Sequence, residues 1–279
     1  MDPRVWRRLK QNKTAIASGA LVACFIVAAV LAPWILPYDP NRQDRAQANE
    51  GPTLAHPLGR DMLGRDVLSR LLLGARVSLK VGFLVVGITS VLGVLIGMGA
   101  GYAGGWIDEI VMRTIDILLA FPGLLLAIAM TAVLGPDLDH VILALCIMGW
   151  TGFARLARGQ TLVLRELPFV EAARAAGAGP GRILLRHLLP NLLAPVIVQA
   201  TLGIAGAIAA EASLSFLGLG VQPPEPSWGS MLNERTSCLR EAPHIALFSG
   251  LAISAVLLGL NFFGDGLRDA LDAKGLVRD

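Results

Sequence analysis

Five runs of about 20 mostly apolar residues, and a sixth that is shorter, dominate this 279-residue sequence. A bilayer core about 30 Å thick is crossed by a helix of about 20 apolar residues, so each long run predicts a membrane span. Hydrophobic residues make up 54% of the chain and charged residues only 16%, against about 25% charged in soluble domains, and this apolar excess excludes a soluble or disordered protein. The sequence therefore predicts an all-α polytopic membrane protein with six transmembrane helices, at Ala15–Leu36, Val77–Tyr102, Ile110–Leu134, His140–Ala157, Leu192–Ala210 and Ile245–Phe263.

The first and fourth runs each allow a second interpretation. The first follows several basic residues, as in a secretory signal peptide, but its apolar part exceeds the about 7–15 residues of such a signal. No clear cleavage site follows it, so we interpret it as an uncleaved helix. The fourth has a short apolar stretch before Arg155, a length that also suits a buried or interfacial helix. We interpret it as a span, because otherwise the arginines that follow would lie outside, against the positive-inside tendency.

Six spans place both termini and the segment Arg155–Pro190 in the cytoplasm. The stretch Arg42–Lys80, which forms the first external loop and the entry to the second span, carries most of the external basic residues. We expect a partly amphipathic interfacial helix there, around Asp61–Leu73. The net charge of +3 is interpreted through this topology, and no nucleic-acid partner is predicted.

Four glycines follow one another at intervals of four residues on the second span: Gly93, Gly97, Gly101 and Gly105. A helix face without side chains lets another helix backbone approach closely. The glycines therefore predict a helix-packing face, either within this chain or against another subunit.

Charged side chains near the ends of spans are candidates for structural or pathway roles. Arg113 and Asp116 are three residues apart, so we expect them to form an ion pair on one face of the third span. Lys80 and Glu211 lie near the outer ends of the second and fifth spans. Each could line a substrate pathway, or simply reach water as an interfacial group.

Signatures of catalysis and metal binding were sought in the sequence. The four histidines lie on separate segments, and Cys24, Cys146 and Cys238 have no spacing suited to a metal or a disulfide framework. Phosphate-binding loops, zinc-binding His-Glu-x-x-His and Gly-x-Ser-x-Gly nucleophile turns are missing from the sequence. We therefore predict a non-catalytic chain with no metal site.

The segment Arg155–Pro190 has helix punctuation of its own. Pro168 suits the first turn of a helix, and Glu171 complements the positive end of the helix dipole. The residues after Glu171 are mostly alanines, which favour helix, and Gly177 marks the end. This pattern predicts a short helix with almost no side chains, either a docking element for another protein or a purely structural loop helix.

The same segment resembles the Glu-Ala-Ala loop of bacterial binding-protein-dependent ABC importer permeases. The resemblance rests on Glu171-Ala172-Ala173, Gly177 and Leu189-Pro190, while His187 stands where the family pattern has isoleucine. In that family this loop couples the permease to its ATPase. The resemblance implies the following coupling residues: Glu171, Ala172, Ala173, Arg174, Ala176, Gly177, Leu189 and Pro190.

Further stretches resemble the dipeptide, oligopeptide and nickel branch of these permeases, and most of all the "C" type subunit of dipeptide permeases. They are His56–Asp61, Leu63–Arg70, Gly74–Leu79, Ser215–Gly220, Pro226–Gly229 and Gly264–Asp272. The resemblance implies a type I ABC importer transmembrane domain. It divides the chain into a tail, first helix and external loop (1–74), a five-helix permease core (75–266) that contains the coupling loop (155–190), and a cytoplasmic tail (267–279).

By this resemblance the chain forms half of the pathway of an ATP-driven importer in the bacterial inner membrane. The expected partners are a homologous second permease, two ABC ATPase subunits, an extracytoplasmic substrate-binding protein and membrane lipid. The resemblance implies that this chain binds no cofactor, since ATP and magnesium are used by the partner ATPases. Dipeptides or short oligopeptides are the expected substrates, with nickel chelates or glutathione as alternatives.

A stand-alone secondary transporter is the competing class, although no internal repeat is evident. A membrane-embedded enzyme is disfavoured, since no catalytic constellation is found.

Overall fold

The structure is a computed structural model, and it describes residues 3–233 and 242–271. Helices dominate these residues, with a single 3₁₀ turn at Arg45–Gln47 in the loop after the first long helix. The helices are α1 (Pro3–Gln11), α2 (Lys13–Ile35), α3 (Val67–Ala103), α4 (Gly105–Leu119), α5 (Gly123–Leu134), α6 (Leu138–Leu164), α7 (Pro168–Ala175), α8 (Pro180–Arg182), α9 (Leu189–Phe216), α10 (Trp228–Asn233) and α11 (Pro243–Leu271).

Among the described residues, five straight helical segments are long and apolar enough to cross a membrane: α2, α3, α6, α11, and the continuous segment Pro180–Phe216. In that last segment α8 continues through a π-helical stretch, Ile183–Leu188, into α9. The prediction from arginine placement that the fourth apolar run spans is supported, because α6 extends to 27 residues. Residues 272–279 of the expected C-terminal tail, and Cys238, lie outside the described residues.

The helical segment at the third predicted span is bent. Helices α4 and α5 meet at an angle of 79° across a break of three residues, where one straight helix was expected from Ile110 to Leu134. Pro122 supplies no backbone N–H and disfavours helical geometry at Phe121, so α4 ends and α5 begins at Gly123. The Pro-Gly pair is visible in the sequence, but the continuous apolar pattern concealed it.

The expectation of an interfacial helix around Asp61–Leu73 is wrong in two respects: the helix starts later than Asp61, and it is not separate from the second span. Residues before Asp66 form a turn, and α3 begins at Val67 because the Asp66 carboxylate accepts a hydrogen bond from the Ser69 N–H, at 2.8 Å. From there α3 continues without a break for 37 residues to Ala103. The loop and the second span are therefore joined directly.

Helix α3 is central in the bundle and packs on α2, α6 and α9. One apolar cluster joins α2, α3, α9 and α11 around the fully buried Trp228. The indole N–H of Trp228 donates to the carbonyl of Leu71, at 3.0 Å, which fastens α10 to α3. A second cluster joins α3, α6, α7 and α9 at the opposite end of the bundle.

Contacts between helix ends show how the bundle is arranged. A Cβ atom on Gly266 would lie 2.4 Å from the Cβ of Ala15, so the end of α11 lies against the start of α2. At the same end of the bundle Gly101 of α3 lies against Arg158 of α6, just before α7. The described parts of both chain termini are therefore on the same side of the bundle as α7.

Candidate functional site

The short helix predicted in the Arg155–Pro190 segment is present as α7. Pro168 occupies its first turn and Glu171 lies in the same turn, as the sequence indicated. The helix ends at Ala175, Ala176 is its C-cap, and Gly177 has a left-handed φ of +80°. The N–H of Ala178 donates to the carbonyl of Ala173, at 3.0 Å, and that of Gly177 to the carbonyl of Arg174, at 2.9 Å. This pair of bonds is a Schellman motif, which requires the left-handed residue.

Two contacts attach α7 to the bundle. Val170 is fully buried in the cluster that contains Met98 and Leu188, and the Arg174 guanidinium lies 5.5 Å from the centre of the Tyr102 ring. A cation at this distance from an aromatic face is attracted to it. The C-terminal end of α3 and one face of α7 are thus in direct contact.

The outward face of α7 carries small and charged side chains. Glu171, Ala172, Arg174, Ala176 and Gly177 are exposed, and Ala173 is half-buried. Leu189 and Pro190 lie at the start of α9, where Leu189 packs against the cluster under α7 and Pro190 is exposed. Since alanine and glycine present little bulk, another protein can approach the backbone of α7 closely.

Ion pairs fix α4 to the C-terminal half of α6. The Arg158 guanidinium donates to both carboxylate oxygens of Asp108, each at 2.6 Å. Asp116 pairs with Arg155 of α6, so the expected Arg113–Asp116 pair is wrong. Arg113 instead faces Glu109 at 3.8 Å on the exposed surface. The partner of Asp116 is 39 residues away in sequence, which local spacing could not reveal.

Three of the four spaced glycines form a close helix contact within the chain. A Cβ atom added at Gly93 would lie 2.4 Å from the carbonyl oxygen of Trp150. A Cβ atom added at Gly97 would lie 2.0 Å from the carbonyl oxygen of Ala154. At Gly101 the distance to the Arg158 carbonyl oxygen would be 3.0 Å. The glycine face of α3 therefore packs against α6. Gly105 does not belong to it, because it lies after the end of α3 with a φ of +55° and nothing within 4 Å of a Cβ atom.

Glu211 and Lys80 have different surroundings. Lys80 is exposed, near a cavity that Arg76 and Glu225 also border. Glu211 is fully buried, so the expectation that it reaches water is wrong. Hydroxyl groups of Ser78 on α3 and Ser215 on α9 donate to its carboxylate oxygens, at 2.8 and 2.7 Å. Glu211 thereby links α3 to the C-terminal part of α9.

A buried polar cluster organises the loop before α3. Asp61 is 1% exposed, and one of its carboxylate oxygens accepts from the Arg65 Nε at 2.6 Å, with the Arg70 Nε 3.5 Å away. His56 bonds to Asp66 at 2.7 Å, and the ring of His244, at the start of α11, approaches the Arg60 carbonyl at 3.1 Å. This loop cluster joins the N-terminal ends of α3 and α11.

Comparisons with known proteins agree with these features. Residues 93–275 match the family described as "Binding-protein-dependent transport system inner membrane component". Residues 4–52 match the "N-terminal TM domain of oligopeptide transport permease C". The first match covers more than half of the chain, including α7 and the glycine face.

Curated relatives and one solved structure extend this result. The "Glutathione transport system permease protein GsiD" of Pectobacterium atrosepticum is 48% identical over 270 residues, covering 96% of this chain and 90% of that protein. The protein of the same name in Escherichia coli O6:K15:H31 is 49% identical over 270 residues, covering 96% and 89%. A chain of the MetNI methionine ABC transporter in an inward-facing conformation has a TM-score of 0.55 at 20% identity. The superposition covers 74% of this chain and 97% of the MetNI chain. This likeness shows the fold.

The fold, the exposed α7 and the family matches are mutually consistent. The chain therefore belongs to the binding-protein-dependent transport system inner membrane components, as a permease subunit of the dipeptide and oligopeptide branch of ABC importers.

Proposed function

We propose that this chain is one of two permease subunits of an ATP-driven importer of short peptides, and that glutathione is among its substrates. The observation that carries the proposal is α7, a short helix with an exposed face of small side chains at one end of a membrane bundle. Family membership disfavours the stand-alone secondary transporter, since members work in binding-protein-dependent systems.

The proposed partners follow from this arrangement. Two ABC ATPase subunits use ATP and magnesium on the cytoplasmic side, and one of them docks on α7. A homologous permease completes the pathway, and an extracytoplasmic binding protein delivers the substrate. The residues proposed to couple this chain to the ATPase are Glu171, Ala172, Ala173, Arg174, Ala176, Gly177, Leu189 and Pro190.

The substrate proposal rests on two kinds of likeness. The N-terminal region matches an oligopeptide permease family, and relatives nearly half identical are named as glutathione permeases. Glutathione is itself a tripeptide with a γ-linked glutamate, so one pathway that accepts short peptides can accept it as well. Nickel chelates are the competing cargo.

Stimulated ATP hydrolysis tests the substrate. The whole importer, reconstituted with the binding protein encoded beside this gene, is assayed with di- to pentapeptides, glutathione, nickel chelates and sugars. We expect peptides and glutathione to stimulate hydrolysis, because a loaded binding protein selects the conformation in which the ATPases close. Stimulation by nickel chelates or sugars alone would overturn the peptide assignment.

We also propose that both termini and α7 face the cytoplasm of a bacterial inner membrane. Clustering of arginines around α6 and α7, together with the shared side of the two chain ends, supports this orientation. In a background without native cysteines, Arg174→Cys should react with an impermeant thiol reagent in inside-out vesicles only. Reaction in intact spheroplasts would contradict the orientation.

A further inference from the structure

Three polar side chains line one cavity between α6, α9 and α11. The cavity has a volume of about 520 Å³. Small-molecule binding sites generally have volumes of about 300–1,000 Å³, so this cavity is large enough for such a ligand. Gln160, Gln199 and Arg268 border it, and all three are exposed in the single chain. Among the described residues, none of the three has a hydrogen-bond or ion-pair partner. Their polar groups are therefore available to a molecule in the cavity.

Gln199 lies deep in the span. It is about 15 Å from the start of α9 and about 25 Å from its end, at 1.5 Å per residue. A primary amide facing lipid at this depth leaves its donors and acceptor without partners, which is costly. Polar side chains in membrane spans generally face the bundle interior or a water-filled cavity. The position of Gln199 therefore indicates contact with water or substrate.

A second cavity meets the first at Gln199. Its volume is about 350 Å³, and Phe121 borders it from the bend between α4 and α5. Several residues of α9 border the two cavities, and five of them are spaced by three or four, which places these five on one helix face. The five are Pro195, Gln199, Gly203, Gly206 and Ala210. One face of α9, with small residues and a single amide, thus follows both cavities.

We infer that this face of α9 lines the substrate passage and that Gln199, Gln160 and Arg268 bind the transported peptide. The inference rests on the proposed function and adds residues to it. Each glutamine amide can donate to a peptide carbonyl and accept from a peptide N–H. The Arg268 guanidinium can pair with a carboxylate through two parallel hydrogen bonds. Peptides and glutathione carry all of these groups.

Substrate protection of an introduced cysteine tests the contact directly. Gln199→Cys is placed in the complete importer lacking native cysteines, without nucleotide, in inside-out vesicles. An impermeant thiol reagent should modify it, and saturating S-methylglutathione, which has no thiol of its own, should slow the reaction about tenfold or more. Asn261→Cys is the matched control, because the Asn261 amide bonds to the Leu257 carbonyl of its own helix and lies off the cavity. Its reaction should not respond to the peptide. Unreactive Gln199→Cys, or reaction without protection, overturns the inference.

Peptide uptake by variants that lack the Gln199 amide or the Arg268 charge provides the second test. We expect Gln199→Leu to lower maximal uptake about tenfold, as for loss of one buried hydrogen bond. The peptide affinity of the separate binding protein should stay unchanged, and Asn261→Leu should take up peptide as wild type does. Arg268→Gln should slow the uptake of an acidic tripeptide more than it slows the uptake of the same tripeptide with an amidated C-terminus. If wild type takes up no peptide, the proposed function fails. If wild type does and the variants match it, this inference alone fails.

Discussion

Replacing Gly97 by alanine should lower the thermal unfolding midpoint of the purified permease strongly, although the change adds one methyl group. That methyl carbon would lie 2.0 Å from the carbonyl oxygen of Ala154 and 2.7 Å from its carbonyl carbon. Both are backbone atoms, so no side-chain rotation relieves the clash and α3 must move away from α6. We expect a loss of about 3 kcal/mol, the upper end for overpacked sites, or roughly 6–12 °C.

Gly99 offers a matched control on the same helix. A Cβ atom there meets nothing within 4 Å, so Gly99→Ala changes only helix propensity, which favours alanine by about 0.5–1 kcal/mol. Midpoints are measured by heating the detergent-solubilised protein and quantifying the remaining monodisperse fraction by size-exclusion chromatography. Equal midpoints for the two variants would show that α3 and α6 do not pack through this face.

The double variant Ala173→Trp and Gly177→Asp should abolish peptide uptake while the two permease subunits still assemble. Ala173 lies on the half-buried edge of α7, where an indole would hold a docked protein away from the backbone. At Gly177 aspartate must adopt a φ of +80° and adds a negative charge at the negative end of the helix dipole. We expect a loss of at least about 2 kcal/mol of docking energy, or roughly 30-fold in affinity.

The measurement is uptake into proteoliposomes together with co-purification of the ATPase subunits. Gly179→Ala is the control, because Gly179 is exposed, has an extended backbone and has nothing within 4 Å of a Cβ atom. It should transport as wild type. Wild-type uptake by the double variant, expressed at the normal level, would contradict a coupling role for α7.

Local features of this protein were readable from its sequence. The cap and end signals of α7 lie within ten residues of one another, and they predicted that helix closely. Apolar runs located the spans, because each span needs a length of apolar chain that few other structures require. The bend at Phe121 and Pro122 was missed, since the runs on its two sides are equally apolar.

Contacts between distant segments were not readable in this way. Burial of Glu211 depends on Ser78, which is 133 residues away, and nothing in the local pattern of α9 indicates that partner. Gln199, which we infer to line the passage, was not predicted from the sequence either, because a single amide in an apolar run does not show which cavity it borders until the neighbouring helices are known.

The unbroken length of α3 has a mechanical consequence. At 1.5 Å per residue its 37 residues extend about 55 Å, well beyond the about 30 Å of the bilayer core. One end begins in the buried polar cluster of the loop, and the other lies beneath Arg174 of α7. Such a rod acts as a lever, since tilting it by roughly 5° about one end displaces the other by about 5 Å. Because α3 is one continuous helix, a displacement of the loop cluster at one end would move the end that contacts α7, and the reverse.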